Sequence, residues 1–282
     1  MMQVGRQVPA HRRSGGTLVG RPRIIAHRGA SAIAPENTLL AFRLAAEAGA
    51  DMLETDVQFS RDGAAVLIHD SDLARTTDCI GLVSAMAWSE LSVCDAGYWF
   101  TPNGATRHPY RGLKIGVPRL EELFALIDAL NPAIVLQLEL KVDAGVPAAR
   151  CGRDAARLAQ MLAEHGWLNR AIVSSFSTAA LDAVKAAEPQ ARTAYIVGRD
   201  ADIHAALAYA VARKHEALNP EHLRLGMVEE GRDIVSLAHA AGVAVYPWTV
   251  NVADRALELA QMGVDGVMTD DPERLRRVLE AG

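Results

Sequence analysis

Short apolar runs recur along almost the whole chain, each stopped by a charged or polar residue and most followed by a longer stretch with helical periodicity. The runs read as strands are residues 23–27, 52–59, 134–140, 171–175, 193–197, 217–219, 243–248 and 266–268. Predicted helices lie at 37–48, from Pro118 onward through Leu120, Leu123, Phe124, Ile127 and Leu130, and then at 148–164, 178–187, 203–213, 229–241, 253–262 and 272–279. A helix between two strands carries the chain back to the end where it started, so successive strands run parallel. Eight such strands close on themselves, and the predicted fold is an α/β TIM (β/α)8 barrel. Such a barrel needs about 250 residues, and the chain has 282.

Composition narrows the function classes. No apolar run approaches the roughly 18 residues that a membrane span requires, so no transmembrane segment is expected. A net charge of −5 and a pI near 6.0 offer no basic stripe for nucleic acid. Residues 1–20 carry Arg6, Arg12 and Arg13 with no acid and no continuous apolar core, which reads as a disordered basic tail rather than a secretion signal. Residues 21–282 are then one barrel domain. Three cysteines, Cys79, Cys94 and Cys151, form no CxxC pair and cannot all pair within one chain. They read as bystanders in a reducing compartment, with cytoplasmic residence. The oligomeric state is left open, a homo-oligomer included.

Between residues 71 and 117 the alternation breaks. Trp88, Tyr98, Trp99, Phe100 and Tyr110 fall there, five of the chain's fourteen aromatics. A structureless loop of that length is uncommon in a compact domain, so the stretch is expected to be a small packed insertion over the barrel mouth.

Chemistry concentrates at three strand ends. His27 and Arg28 follow the apolar residues 24–26, and Gly29 stops the strand. Glu54 and Asp56 are two residues apart, so the period of a strand puts both carboxylates on one face. Like charges so placed repel unless a proton or a cation intervenes, and a divalent metal is the economical answer. Glu139 and Lys141 repeat the spacing at the end of 133–140, adding a third carboxylate. His69, ending a predicted hairpin turned at Asp62-Gly63, falls beside them. Oxygen-only ligation suits Mg2+ or Ca2+. Without a metal, the carboxylates would instead be bridged by Arg28 and Lys141. Asp70 either orients His69 or turns the chain.

In order, the chain reads His27-Arg28-Gly29, Pro35-Glu36-Asn37-Thr38, Ala41-Phe42, Gly49-Ala50-Asp51, Glu54-Thr55-Asp56-Val57, Asp62-Gly63, His69-Asp70, Arg75-Thr76-Thr77, Glu139-Leu140-Lys141 and Trp248-Thr249-Val250-Asn251. This ordered set closely resembles the glycerophosphodiester phosphodiesterase family, from about residue 23 to the C-terminus. The resemblance implies metal-dependent hydrolysis of a small glycerophosphodiester to glycerol 3-phosphate and an alcohol such as choline or ethanolamine. Glu54, Asp56 and Glu139 would hold one divalent cation. His27 and His69 would exchange general base and acid roles through a cyclic phosphate, work that suits imidazole near neutral pH. Arg28, Lys141 and Trp248 would bind substrate. Two other readings use the same site: cleavage of lysophospholipids in the manner of a lysophospholipase D, and binding of a phosphate ligand without catalysis.

Overall fold

The computed structural model describes residues 21–102, 105–142 and 147–281, so the tail expected at 1–20 lies outside the described residues. Among the described residues nine strands form: β1 Arg23–His27, β2 Met52–Phe59, β3 Ala65–Leu67, β4 Val135–Leu140, β5 Ala171–Ser175, β6 Arg192–Val197, β7 Ala217–Pro220, β8 Ala244–Val245 and β9 Gly266–Thr269. Eight are joined in parallel in the order β8-β7-β6-β5-β4-β2-β1-β9, and β3 pairs antiparallel with β2. Across the gap between the end strands, Asp265 N donates to Val245 O (3.1 Å) and Met268 N to Pro247 O (3.0 Å). The result is a nearly closed barrel. The strand expected at 243–248 shrinks to β8 because Pro247 has no N–H to give a ladder.

The helices are α1 Leu39–Glu47, α2 Trp88–Leu91, α3 Leu120–Leu130, α4 Ala148–Glu164, α5 Thr178–Ala187, α6 Ile203–Ala212, α7 Val228–Ala240, α8 Ala253–Met262 and α9 Pro272–Ala281. Their apolar stripes cover the outward strand faces: Phe42, Leu123, Phe124 and Ile127 join Ala26, Leu53, Leu136 and Leu138 in one buried cluster. Inward residues Ile25, Met52, Ile172, Ala194, Ala217, Tyr246 and Met268 fill the barrel. Small Ala194 and Ala217 make room for the large Tyr246 and Met52, as close packing demands. None of the described helices is long and apolar enough to cross a membrane.

Two local expectations are corrected. The helix expected from residue 37 begins instead at Leu39: Thr38 caps it, its side chain accepting from Ala41 N. Asn37 instead donates to the Asp56 carboxylate (2.8 Å) and accepts from Thr55 Oγ1 (2.7 Å). The cysteines expected to be bystanders are not: Cys79 and Cys94 form a disulfide, leaving Cys151 free and buried. The pair lies in the insertion, whose own small core contains Leu73, Val83, Leu91, Cys94 and Val117. A disulfide persists in oxidising surroundings, so the cysteines no longer argue for a reducing compartment. The insertion reaches the barrel mouth, where Tyr110 Oη donates to Ile33 O (3.1 Å) in the loop after β1.

Candidate active site

Strand register brings the charged residues to one rim. His27 is the Cα partner of Glu54, and Asp56 that of Glu139, so β1, β2 and β4 deliver them at the C-terminal ends of parallel strands. One oxygen each of Glu54, Asp56 and Glu139 lies within 4.8 Å of the others. Glu54 Oε2 accepts from Arg28 N at 3.1 Å, and Asp56 Oδ2 from Asn37 Nδ2 at 2.8 Å. Arg28 Nε sits 3.1 Å from Asp56, and Lys141 Nζ lies 2.8 Å from Glu139 and 3.5 Å from Asp56. The cationic bridging foreseen as the alternative to a metal is therefore present.

Those two cations do not neutralise the cluster. Asp56 is fully buried, and its Oδ1 has no hydrogen-bond partner among the described residues. Burial, then the charge of Asp56, pushes the Glu54 carboxyl up to about 8. Glu139 is raised by the same two causes. Burial also pushes Asp56 upward, yet Arg28 and Lys141 outweigh it and hold Asp56 below the usual carboxylate range. A buried oxygen with no hydrogen bond, met only by Lys141 at 3.5 Å, beside two carboxyls that resist ionising, fits a hard divalent cation, and the three residues could hold one.

Each histidine is anchored through Nδ1. His27 Nδ1 meets Asp270 Oδ1 at 2.7 Å, and Asp270 is itself held by Ser31 Oγ (3.1 Å) and Asn251 Nδ2 (2.5 Å). His69 Nδ1 meets Asp70 Oδ1 at 2.6 Å. Arg75 bonds Asp70 and both oxygens of Glu36, whose other partner is Arg28. A carboxylate on Nδ1 fixes the ring and leaves Nε2 for chemistry. Burial lowers the affinity of His27 for a proton, but the Asp270 hydrogen bond and the charge of Glu54 outweigh it, so its pKa rises above the ordinary value.

The loop after β1 is shaped for close approach. Arg28 and Asn37 adopt positive φ, 56° and 57°, and Gly29 has φ 83°. A Cβ on Gly29 would lie 2.6 Å from the carbonyl carbon of Ala41. Gly29→Ala is expected to destabilise the fold by about 2–4 kcal/mol, from left-handed backbone strain plus overpacking. The shift in denaturation midpoint measures it; an unchanged midpoint would remove this steric account.

His27, Arg28, Glu54, His69, Glu139, Lys141 and Trp248 line one cavity of about 200 Å3, with an Asp56 carboxylate oxygen within 4.8 Å of those of Glu54 and Glu139. Two wider spaces flank it: about 410 Å3 on the His69 and Phe176 side, and about 380 Å3 on the His27 and Asp270 side. Trp248 donates from Nε1 to Asn219 O at 2.8 Å and meets Phe176 edge-on, centroids 5.7 Å apart. All eight predicted site residues thus gather at one mouth. Sequence reasoning missed Asp270, although it ends the β9 run just as His27 ends β1. It also gave no part in the site to Asn37, Arg75 and Asn251.

The profile of the glycerophosphoryl diester phosphodiesterase family matches residues 27–274. The chain belongs to this family. Among relatives in it, the glycerophosphodiester phosphodiesterase of Caldanaerobacter subterraneus subsp. tengcongensis is 32% identical over 92% of this chain and 98% of that protein. The Bacillus subtilis glycerophosphodiester phosphodiesterase is 30% identical over 96% of this chain and 91% of its own length. The solved structure of an Oleispira antarctica phosphodiesterase in complex with the product sn-glycerol-3-phosphate superimposes with a TM-score of 0.78, at 31% identity, covering 92% of this chain and 97% of that one.

Proposed function

We propose that residues 21–282 form one catalytic unit, with the insertion at 71–117, that hydrolyses glycerophosphodiesters to glycerol 3-phosphate and an alcohol. The enzyme is a glycerophosphodiester phosphodiesterase by family and by its relatives' names. The observation that carries the mechanism is the convergence of three carboxylates and two Nδ1-anchored histidines on one cavity. The glycerol 3-phosphate bound by the Oleispira enzyme supports the substrate class.

Glu54, Asp56 and Glu139 would hold one Mg2+ or Ca2+. Bound there, the cation would supply Lewis-acid polarisation of phosphate and hydroxyl oxygens. His27 Nε2 takes the proton from the glycerol hydroxyl next to the phosphate ester. That oxygen bonds to phosphorus, the bond to the leaving alcohol breaks, and His69 gives the alcohol oxygen its proton. The product of this step is a five-membered cyclic phosphate. His69 then accepts a proton from water as its oxygen bonds to phosphorus, and His27 returns a proton to the opening ring oxygen. One water is consumed, and both histidines end as they began. Arg28 and Lys141, beside the carboxylates, would draw the phosphate oxygens and offset charge building on them. Trp248 would flank the carbon skeleton.

The test is release of glycerol 3-phosphate from glycerophosphocholine, with and without EDTA, then with Mg2+ or Ca2+ added back. Activity is expected to vanish with EDTA and return with one of the two ions, which names the cofactor. Full activity in EDTA would overturn the metal assignment; no product under any condition would overturn the substrate.

A further inference from the structure

Two amides lie where the barrel turns from apolar to polar, and neither is explained by the fold. Asn219, at the end of β7, is completely buried, and neither its Oδ1 nor its Nδ2 finds a hydrogen-bond partner among the described residues. Gln137, on β4 beside Glu54, is 1% exposed, and its Oε1 is likewise unpartnered. Both line the 200 Å3 cavity. Ala217, two residues before Asn219 on β7, and Ile172, the Cα partner of Gln137, offer only carbon. Buried amides without partners destabilise a fold, so these groups point to a ligand that arrives from the mouth.

The chemistry of the orphans selects which end of the substrate arrives. Asn219 offers a donor and an acceptor together, and hydroxyl groups both donate and accept. A phosphate diester anion only accepts, a primary ammonium only donates, and a quaternary ammonium does neither. Arg28 and Lys141 stand beside the carboxylates, Lys141 four residues beyond Gln137 toward the C-terminal rim of the barrel. Ile196 and Met268 complete the wall with surfaces suited to carbon.

We propose that Asn219 and Gln137 form a hydroxyl-binding floor that seats the glycerol end of the substrate inside the barrel, leaving the alcohol end in the wider outer spaces. The inference rests on the phosphodiesterase reading and deepens it. The two amides are specificity-determining residues: they distinguish a polyol phosphate from phosphate alone.

The experiment is calorimetric titration of the full chain, with its divalent cation present, using sn-glycerol 3-phosphate and separately inorganic phosphate. The parent protein is expected to bind glycerol 3-phosphate the more tightly. Asn219→Leu and Gln137→Leu are each expected to weaken glycerol 3-phosphate tenfold or more and leave inorganic phosphate unchanged. Because Asn219→Leu removes unpaired buried polar atoms at similar volume, its melting temperature should hold or rise. A folded variant that keeps the preference overturns the inference. So does a lowered melting temperature with both ligands weakened alike, the mark of amides that serve only the fold or an internal water. Hydrolysis of glycerophosphocholine by the parent, measured alongside, separates the two ideas: turnover without any preference for glycerol 3-phosphate overturns the floor alone, whereas no turnover overturns the phosphodiesterase reading and the floor with it.

Discussion

His27→Ala and His69→Ala are each expected to lower turnover of glycerophosphocholine by about a hundredfold or more, the size of a lost general acid or base. A hundredfold corresponds to about 2.7 kcal/mol of transition-state stabilisation. Metal affinity should be unchanged in both, because neither ring belongs to the carboxylate cluster. The two variants should also fail differently. A substrate with an acidic leaving group, such as a p-nitrophenyl glycerophosphodiester, needs no proton on departure. It should restore much of the first-step rate to the variant lacking the acid and little to the one lacking the base. In the proposed assignment the rescued variant is His69→Ala. Rescue of His27→Ala instead would reverse the roles, and near-normal turnover of glycerophosphocholine by either variant would remove that residue from the chemistry.

Glu54→Gln and Glu139→Gln are expected to abolish measurable binding of the divalent cation while leaving the barrel folded. Each exchange keeps the side chain's shape and removes a charge that the site can hold only beside a cation. Glu54 is the sharper case, since burial and Asp56 hold its carboxyl near 8. In the parent protein, cation at a hundred times its Kd should add about 2.7 kcal/mol to the unfolding free energy. That increment should disappear in both variants. Without metal, Glu54→Gln should melt no lower than the parent, because a buried carboxyl that repels its neighbour has been replaced by a neutral amide. Metal bound at full affinity in both variants would sink the ligand assignment.

The strand-helix alternation made the barrel legible because parallel strands, buried on both faces, leave continuous apolar runs that polar residues must end. The same rule exposed Glu54 and Asp56, whose shared face follows from the two-residue period alone. What the period does not encode is which strand end meets which. His27 and Asp270 are hydrogen-bonded across 243 positions of sequence, and only closure of the barrel makes β1 and β9 neighbours. Asp270 also precedes Asp271 and Pro272, where it reads as an ordinary acid at a helix start. Asn37 escaped for a related reason: it reads as the start of the helix predicted at 37–48, and its bonds to Asp56 and to Thr55 Oγ1 depend on a left-handed backbone turn that no periodicity announces. The Cys79–Cys94 pair was hidden because an odd count with no motif carries no pairing rule, and the folding of the insertion decides which two meet.

The bond between His27 and Asp270 also orders events in time. In chain order all three carboxylates proposed as cation ligands are present by residue 139, but the carboxylate that aims His27 directly follows the barrel's ninth strand. A nascent chain can therefore gather its cation ligands early, while the base proposed for the first step stays unaimed until the barrel shuts. Competence arrives when β9 pairs with β1, in a single step, rather than growing strand by strand.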